Sequence, residues 1–337
     1  MKKPDLYSSR RSFLKKSAAA SSFFIVPRFV LGGNGYTAPS DKLSIASIGC
    51  GGKGSSDIAN ASVNGRENVI ALCDIHPQGY HGVVNIRKRF PKARFYTDFR
   101  ELLSEERNLD AVTISTPDHT HGIIAKTAME NKIHVYVQKP LTHNIKEARL
   151  LTELARKKKV VTQMGNQGAS HPGQKYVQKW IREKRIGNVS EVKVWTNRPV
   201  WPQGVKMPES DSSLKPKSLD WNLWLGTSPD RPYKDKYYHP SNWRKLVDYG
   251  CGTLGDMGVH IFDTPYNALA LDVPLTIKNK CRKPNGYGFP VNNSVEYTFP
   301  GTPYTANTLT WIWSDGPGAP ASNKDLKLPK RDKLPLQ

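Results

Sequence analysis

Cysteine is scarce in this sequence, and the few cysteines follow no recognisable spacing. Among 337 residues there are four, Cys50, Cys73, Cys251 and Cys281. Their spacings fit neither a metal site nor the disulfide framework of a small secreted domain, so we expect no metal site. In an oxidising compartment one pair could form a disulfide, and the sequence does not say which pair.

Long apolar runs and nucleic-acid-binding motifs are lacking as well. After the N-terminal segment, no apolar run approaches the roughly 18 residues that a membrane-spanning helix needs. Acidic residues are outnumbered, with 29 Asp and Glu against 50 Lys and Arg and a formal net charge of +21. No zinc-finger spacing, basic zipper or RNA-binding aromatic signature accompanies this excess, so we expect no nucleic-acid partner. We interpret the charge as a solvated basic surface; non-specific attraction to anionic glycans or membrane surfaces is the alternative.

Residues 1–36 have the features of an export signal. Ser9–Lys15 fits the pattern S-R-R-x-F-L-K of twin-arginine leaders at every position. The stretch that follows, 18–31, is only moderately apolar and is interrupted by Pro27 and Arg28, which suits this class of leader better than an ordinary secretory signal. The prediction is a periplasmic protein that folds before export, with the twin-arginine translocase as a transient partner and no membrane span after cleavage. A basic amphipathic tail is the alternative.

A glycine-rich turn follows the first predicted strand. After the β-rich run Leu43–Ile48 come Gly49, Gly51, Gly52 and Gly54, and then a predicted helix. This order of strand, glycines and helix is what a dinucleotide-binding turn requires, because the backbone must approach a pyrophosphate and the helix N-terminus supplies N–H donors to it. We expect these four glycines to contact the cofactor.

A carboxylate at the end of the second predicted strand discriminates between the two nicotinamide dinucleotides. Strand 68–73 is followed by Asp74, twenty residues beyond Gly54. A carboxylate there accepts hydrogen bonds from the adenosine ribose hydroxyls and repels a 2′-phosphate. NAD is therefore the expected cofactor, with NADP less favoured. The alternative is that Asp74 is only a turn residue before Pro77.

The alternation of strands and helices predicts an α/β fold in two domains. We expect residues 37–166 to form an NAD-binding Rossmann domain with a doubly wound parallel sheet. Residues 167–320 are expected to form an α+β domain with a mainly antiparallel, open sheet, and 321–337 a disordered tail. The predicted strands are 43–48, 68–73, 93–96, 111–116, 134–137, 160–164, 190–197, 275–282, 293–299 and 306–313, and the predicted helices are 78–90, 99–106, 120–130, 145–158 and 174–184.

Four motifs, in this order, resemble those of the Gfo/Idh/MocA oxidoreductases, the family of glucose–fructose oxidoreductase and inositol dehydrogenases. TPDHTH at 116–121 resembles the family's T-P-x-x-x-H segment, and QKP at 138–140 resembles its E-K-P motif, with Gln138 in place of the usual glutamate. MGNQ at 164–167 is typical of the joint between the two domains, and GTLGDMGVHIFD at 252–263 resembles the D-x-x-x-H motif. The resemblance runs from about residue 42 to residue 333.

The resemblance implies a nicotinamide site and a group of catalytic residues. Lys139 would hydrogen-bond the reacting hydroxyl and stabilise a developing alkoxide. His260 is the best candidate for the general acid and base, because histidine titrates near neutral pH. Asp256, one helical turn before His260, would hold a substrate hydroxyl or orient the pair. The expected cofactor contacts in these motifs are Thr116, Pro117, His121, Lys139 and Asn166, and the weaker substrate candidates are Tyr238, His239 and Arg244.

The predicted export constrains the reaction, because free NAD is not expected outside the cytoplasm. The protein would carry tightly bound NAD and regenerate it in place. One class that meets this demand is a sugar or polyol oxidoreductase that oxidises one substrate and reduces a second on the same nicotinamide. A second is an NAD-dependent glycosidase that oxidises C3, eliminates at C1, adds water and reduces the product again, as in relatives that act on N-acetylgalactosaminides. A sugar-binding protein without turnover is the third alternative.

Members of this exported branch usually continue well beyond the point where this chain stops. We therefore expect an incomplete second domain with an exposed sheet edge or apolar patch. A homo-oligomer is expected of the complete family member and is doubtful for this chain.

Overall fold

The computed structural model describes residues 37–79, 82–196, 203–207, 214–238, 241–283 and 285–319. The predicted leader, the substrate candidate His239 and the predicted tail lie outside these residues. Among the described residues before Leu43 there is one short 3-10 turn, Pro39–Asp41. All elements named below belong to a second unit that begins at Leu43.

Six parallel strands form the first sheet, as predicted, in the order β3-β2-β1-β4-β5-β6. This is the doubly wound Rossmann order, which leaves a crevice at the carboxyl ends of β1 and β4, where the strand order reverses. The strands are β1 (Ser44–Ile48), β2 (Asn68–Cys73), β3 (Arg94–Tyr96), β4 (Ala111–Ile114), β5 (His134–Gln138) and β6 (Thr162–Gly165).

Helices follow each of the first five strands. The helices are α1 (Lys53–Ala61), α2 (Val83–Arg89), α3 (Phe99–Glu105), α4 (Asp118–Glu130) and α5 (Ile145–Lys158). The last of these has the predicted bounds, because the side chain of Asn144 accepts the backbone N–H of Glu147 at 3.0 Å and caps its first turn. The predicted start of the second helix at Gln78 is wrong. It begins at Val83, after Gly82, whose φ of 92° does not continue a helix.

Apolar side chains cover both faces of the parallel sheet. Because side chains alternate along a strand, Ala46 of β1 packs into one cluster with Met129 of α4, while Ile45 packs into another with Ile58 of α1. The strands are therefore apolar on both sides, as expected of a parallel sheet that has helices on both faces. This packing fixes the positions of the strand ends that carry the site.

The second sheet has four strands in the order β7-β10-β9-β8. They are β7 (Val189–Thr196), β8 (Thr276–Lys280), β9 (Asn293–Pro300) and β10 (Thr305–Asp315). The pairs β8–β9 and β9–β10 are antiparallel and β10–β7 is parallel, so the predicted mainly antiparallel sheet is confirmed. All five side chains of the edge strand β8 are exposed.

Helices of the second domain are α6 (Pro172–Arg182), α7 (Trp221–Leu225), α8 (Gly252–Ile261) and α9 (Asp263–Ala268). One core lies between the sheet and α8, where Trp311 and Trp313 are fully buried and both rings contact Phe262. A second cluster, rich in aromatic rings, includes Trp221 and Trp224, whose rings stack with centroids 4.6 Å apart. Several of the tryptophans are thus core residues.

The described residues also bear on the membrane and disulfide questions raised by the sequence. Within them, no helix combines the length and the apolar character that a membrane span requires. The four cysteines are all free thiols.

Truncation of a buried tryptophan tests the second core. Trp311→Ala is expected to lower the free energy of unfolding by about 3–5 kcal/mol, because the indole is fully buried and leaves a cavity. Trp180→Ala, on the half-exposed face of α6, serves as the control and is expected to cost less than about 1 kcal/mol. Denaturant unfolding measures both, and equal losses would contradict this assignment of the core.

Candidate cofactor and catalytic site

The glycine turn brings the start of α1 against the end of β4. Gly49 has φ of 76°, and a Cβ there would lie 2.8 Å from Cγ2 of Thr116 and 2.9 Å from the carbonyl oxygen of Ser115. A Cβ at Gly54 would overlap the carbonyl oxygen of Gly49. Glycine is therefore required at both positions, and the turn leaves the backbone open to a ligand as a dinucleotide site demands.

Asp74 closes the same turn from the end of β2. Its Oδ2 accepts the backbone N–H of Gly51 at 3.0 Å, and its Oδ1 accepts that of His76 at 3.1 Å. Burial raises the pKa of Asp74 to about 6, while these backbone hydrogen bonds oppose the rise. The carboxylate is thus held in place at the point where the sequence predicts the adenosine ribose.

A cleft of about 610 Å³ runs along this end of the sheet. Its wall includes six of the predicted cofactor residues, namely Gly49, Gly51, Gly52, Asp74, Thr116 and Pro117. Gly54, His121, Lys139 and Asn166 are not on the wall of this cleft, and their contacts with the cofactor stay predictions. This volume is in the range of ligand-binding clefts. The cleft extends to the second domain, whose Trp224, Trp243 and Arg244 also line it.

Lys139 and Asp256, predicted from separate motifs, form a buried ion pair. Nζ of Lys139 lies 2.6 Å from Oδ1 of Asp256 and donates to the backbone carbonyl of the same residue at 3.0 Å. The two side chains are 14% and 5% exposed. Nε of Arg244 lies 3.3 Å from the same Oδ1. Because Arg244 also lines the cleft, it connects the charged group to the cleft wall.

Asp118 is a residue that the sequence interpretation missed. It lies in the first turn of α4, is 1% exposed, and its Oδ2 accepts the backbone N–H of Cys251 at 3.2 Å. Burial raises its pKa to about 7; Arg244 lowers it and Asp256 raises it. The sequence did contain a signal for it, because Asp118 is an acidic residue in TPDHTH, shortly after the end of a strand that borders the crevice.

His260 and Asn166 form a second polar pair, one helical turn beyond Asp256. Nδ1 of His260 lies 2.9 Å from Oδ1 of Asn166, and the amide nitrogen of Asn166 donates to the carbonyl of Val259 at 3.1 Å. The second bond identifies Oδ1 as the atom that faces the ring, so Nδ1–H donates and Nε2 is the proton-accepting nitrogen. Asn166, predicted to contact the cofactor, is placed so as to orient His260.

Three histidines in or near the motifs, His119, His121 and His143, have ring nitrogens within hydrogen-bond distance of backbone carbonyl oxygens. The ring nitrogens of His121 lie 2.7 Å from the carbonyl oxygen of Pro140 and 2.8 Å from that of Thr116. Burial lowers its pKa to about 4 although both carbonyl groups oppose the fall, and the neutral ring donates to one of the two. His119 contacts the carbonyl of Trp224 at 3.0 Å, and His143 that of Val247 at 2.8 Å. These rings hold together the segments around the cleft.

The second domain contributes aromatic rings and short polar side chains to the cleft. Trp224 is 2% and Trp243 5% exposed, and the guanidinium of Arg244 lies 4.3 Å from the centre of the Trp243 ring. Polar groups on the same wall are Asn222, Thr227 and Ser241. Tyr238, a substrate candidate, is 3% exposed and packs in the aromatic cluster instead of on the cleft wall. Among the described residues, no three His, Cys, Asp or Glu side chains are grouped as metal ligands.

Both domains match models of one protein family. Residues 43–166 match the NAD-binding Rossmann fold of the Gfo/Idh/MocA oxidoreductase family, and residues 185–298 match the C-terminal alpha/beta domain of the same family.

Among curated proteins, an uncharacterized oxidoreductase of Schizosaccharomyces pombe is 29% identical over 185 residues, which is 55% of this chain and 42% of the relative. An alpha-N-acetylgalactosaminidase of Shewanella oneidensis is 28% identical over 160 residues, 41% of this chain and 35% of the relative. The chain thus spans less than half the length of these relatives.

Among solved structures, the WlbA dehydrogenase from Bordetella pertussis in complex with NADH and UDP-GlcNAcA superposes with a TM-score of 0.60 at 15% identity. The match covers 82% of this chain and 72% of that one. This likeness shows the fold.

Asp74 makes cofactor affinity depend on pH. We expect the affinity for NAD⁺ to be constant well above pH 6 and to fall as the pH drops through about 6. Below this pH Asp74 of the free protein takes up a proton, and the carboxyl loses an acceptor for the ribose hydroxyls. Calorimetry between pH 5 and 8 should show that the association constant for NAD⁺ falls by up to about tenfold per pH unit below pH 6. Asp74→Asn should bind more weakly and without this slope; a slope equal to that of the parent would contradict the assignment.

Proposed function

Because the chain belongs to the Gfo/Idh/MocA oxidoreductase family and has an NAD-binding Rossmann domain, we propose that it transfers a hydride between a sugar or polyol hydroxyl and tightly held NAD. The observation that carries this proposal is the buried group of Lys139, Asp256 and Arg244 beside the cofactor cleft. In the proposed reaction, its two cations would stabilise negative charge on the substrate oxygen, and its carboxylate would accept a hydrogen bond from a substrate hydroxyl.

The residues of the first domain fit NAD. Because Gly49 and Gly54 lack a side chain, the backbone of the turn can lie close to the pyrophosphate of a dinucleotide. Asp74 lines the cleft at the position that accepts ribose hydroxyls, and the cleft wall continues to Thr116 and Pro117 at the end of β4. Bound nicotinamide would supply the hydride acceptor and donor, which no protein side chain can provide.

The chain's own groups manage the substrate and its proton. The ammonium of Lys139 donates to the reacting oxygen and stabilises negative charge that develops on it. Asp256 accepts a substrate hydroxyl and keeps Lys139 in place through the contact of 2.6 Å. Asn166 holds Nδ1–H of His260, so Nε2 takes the hydroxyl proton in oxidation and returns it in reduction.

The composition of the cleft wall supports a sugar or polyol as the substrate. Trp224 and Trp243, although nearly buried, contribute apolar atoms to the cleft wall, and Ser241 and Thr227 are the hydroxyl residues on it. Trp224 also has a buried indole N–H without a hydrogen-bond partner. A mixed wall of aromatic rings and short polar groups orients a small polyhydroxylated molecule.

An NAD-dependent glycosidase is the second candidate. It is favoured by the match to an alpha-N-acetylgalactosaminidase and to proteins of glycosyl hydrolase family 109 from Shewanella. In this case the same residues would serve a cycle that oxidises and then re-reduces the sugar, with elimination and water addition between the two steps. The chain would need no second substrate, because NAD returns to its starting state.

We also propose that the protein is exported and recycles its cofactor in place. The support is the complete S-R-R-x-F-L-K pattern at Ser9–Lys15. Mass spectrometry of the exported protein after denaturation should detect NAD in near-stoichiometric amount. Purified protein without NAD, and unable to bind it when NAD is added, would contradict the proposed function.

Replacement of the catalytic lysine tests the mechanism. Lys139→Ala is expected to lower turnover by at least about a hundredfold, because the developing charge on oxygen loses its partner, while NAD⁺ affinity changes by less than about threefold. Lys126→Ala, which removes a lysine of α4 that pairs with Glu130, is the control and should retain turnover. Near-parental turnover by Lys139→Ala would reject the role of Lys139.

Two assays distinguish the candidate reactions. Release of phenol from an aryl glycoside without net NADH would favour the glycosidase. Formation of NADH with a free sugar, discharged by a second carbonyl compound, would favour the oxidoreductase. Sugar binding with neither reaction would favour a binding protein.

A further inference from the structure

Asp57, on α1, has no part in the proposed mechanism, yet it is the centre of a buried hydrogen-bond network. Its side chain is 4% exposed. Oδ2 accepts from the amide Nε2 of Gln138 and from the hydroxyl of Ser115, both at 2.8 Å, and Oδ1 contacts Nζ of Lys53. All three partners donate, which is the pattern of an ionised carboxylate.

Gln138, at the end of β5, uses both ends of its amide. While Nε2 donates to Asp57, Oε1 accepts the backbone N–H of Lys139 at 3.2 Å. The side chain is 5% exposed and packs against Gly165, where a Cβ would come within 2.8 Å of Nε2. The amide therefore has little freedom to rotate, and it links the Asp57 carboxylate to the backbone of Lys139.

A glutamate in place of Gln138 would be incompatible with this arrangement at neutral pH. Two ionised carboxylates at hydrogen-bond distance repel each other, so one of them takes up a proton. A protonated carboxyl at position 138 would donate to Asp57 as the amide does, whereas an ionised one would not. The amide thus donates to the ionised Asp57 carboxylate without itself taking up or losing a proton.

We propose that Asp57 and Gln138 are a matched positioning pair that fixes the end of β5, and with it Lys139, against the helix of the glycine turn. The pair touches the cleft through Ser115 and Lys53, both of which line it. Its effect on cofactor binding follows from this geometry, and its effect on turnover rests on the proposed function.

The charged and titratable groups around the pair lie on two elements. Lys53 is on α1, and Lys139 and Tyr136 are on or next to β5; Ser115 at the end of β4 and Gly165 of β6 are neutral. Burial and the Asp57 carboxylate raise the pKa of Tyr136, so the phenol stays neutral up to pH 8. A carboxyl introduced at position 138 would therefore be the new titrating group.

The test is the pH dependence of Gln138→Glu in the full chain. The introduced carboxyl would have a higher pKa in the folded protein than in the unfolded chain. The loss in free energy of unfolding therefore grows as the pH rises from the unfolded-state pKa to the folded-state pKa. Relative to the parent at the same pH, we expect NAD⁺ affinity within about threefold at pH 5 and at least about tenfold weaker at pH 8, and a thermal midpoint lower by about 5 °C at pH 8. Gln163→Glu, the same change at an exposed position of β6, should leave both quantities unchanged.

The swapped pair provides the rescue. In Asp57→Asn/Gln138→Glu the new amide donates to the new carboxylate, whereas the acceptor for Ser115 and the ion contact with Lys53 are lost. At pH 8 affinity and thermal midpoint should therefore recover most, but not all, of the loss that Gln138→Glu causes. Parental behaviour of Gln138→Glu at pH 8, or a double variant no better than the single one, would overturn the proposal. If the parent binds no NAD⁺, the proposed function fails, and the thermal midpoints still test the pair.

Discussion

The buried ion pair between Lys139 and Asp256 is the interaction on which the rest of the site depends. It joins the end of the parallel sheet to α8 of the second domain, with Nζ and Oδ1 2.6 Å apart. A charge left alone in a buried site carries a large desolvation cost, which each member of the pair offsets for the other. Arg244 adds a second cation and connects the pair to the cleft wall. The end of the parallel sheet, α8 and the cleft wall are thereby joined by one group of charges.

Several histidines near the cleft contact backbone carbonyl groups. His121 lies between two carbonyl oxygens, and His119 and His143 each bind a carbonyl of the second domain. A charged pair keeps its geometry only if the segments that carry it are rigid, and these rings supply that rigidity. The histidines thus differ in their contacts: His119, His121 and His143 contact backbone carbonyls, whereas the ring of His260 contacts the side-chain amide of Asn166.

The sequence was most informative where local rules decide the structure. Strand 68–73 and helix 145–158 have the predicted bounds, because Asp74 ends the one and Asn144 caps the other. The contacts that build the site were beyond such rules. Ser115 and Gln138 lie 58 and 81 residues from Asp57, and no periodicity connects them. The motifs indicated Lys139 and Asp256 as members of one site, but their direct contact depends on how the two domains pack.

Asp118 has a consequence for how the two domains are joined. It lies in the first turn of α4 and also accepts the N–H of Cys251, the residue that precedes α8. A single carboxylate thus faces the positive dipole ends of two helices, one from each domain. Rotation that widened the cleft by separating these helix ends would leave one of them without its counter-charge. Asp118 thus ties the start of α4, at the end of the parallel sheet, to the start of α8 through one hydrogen bond.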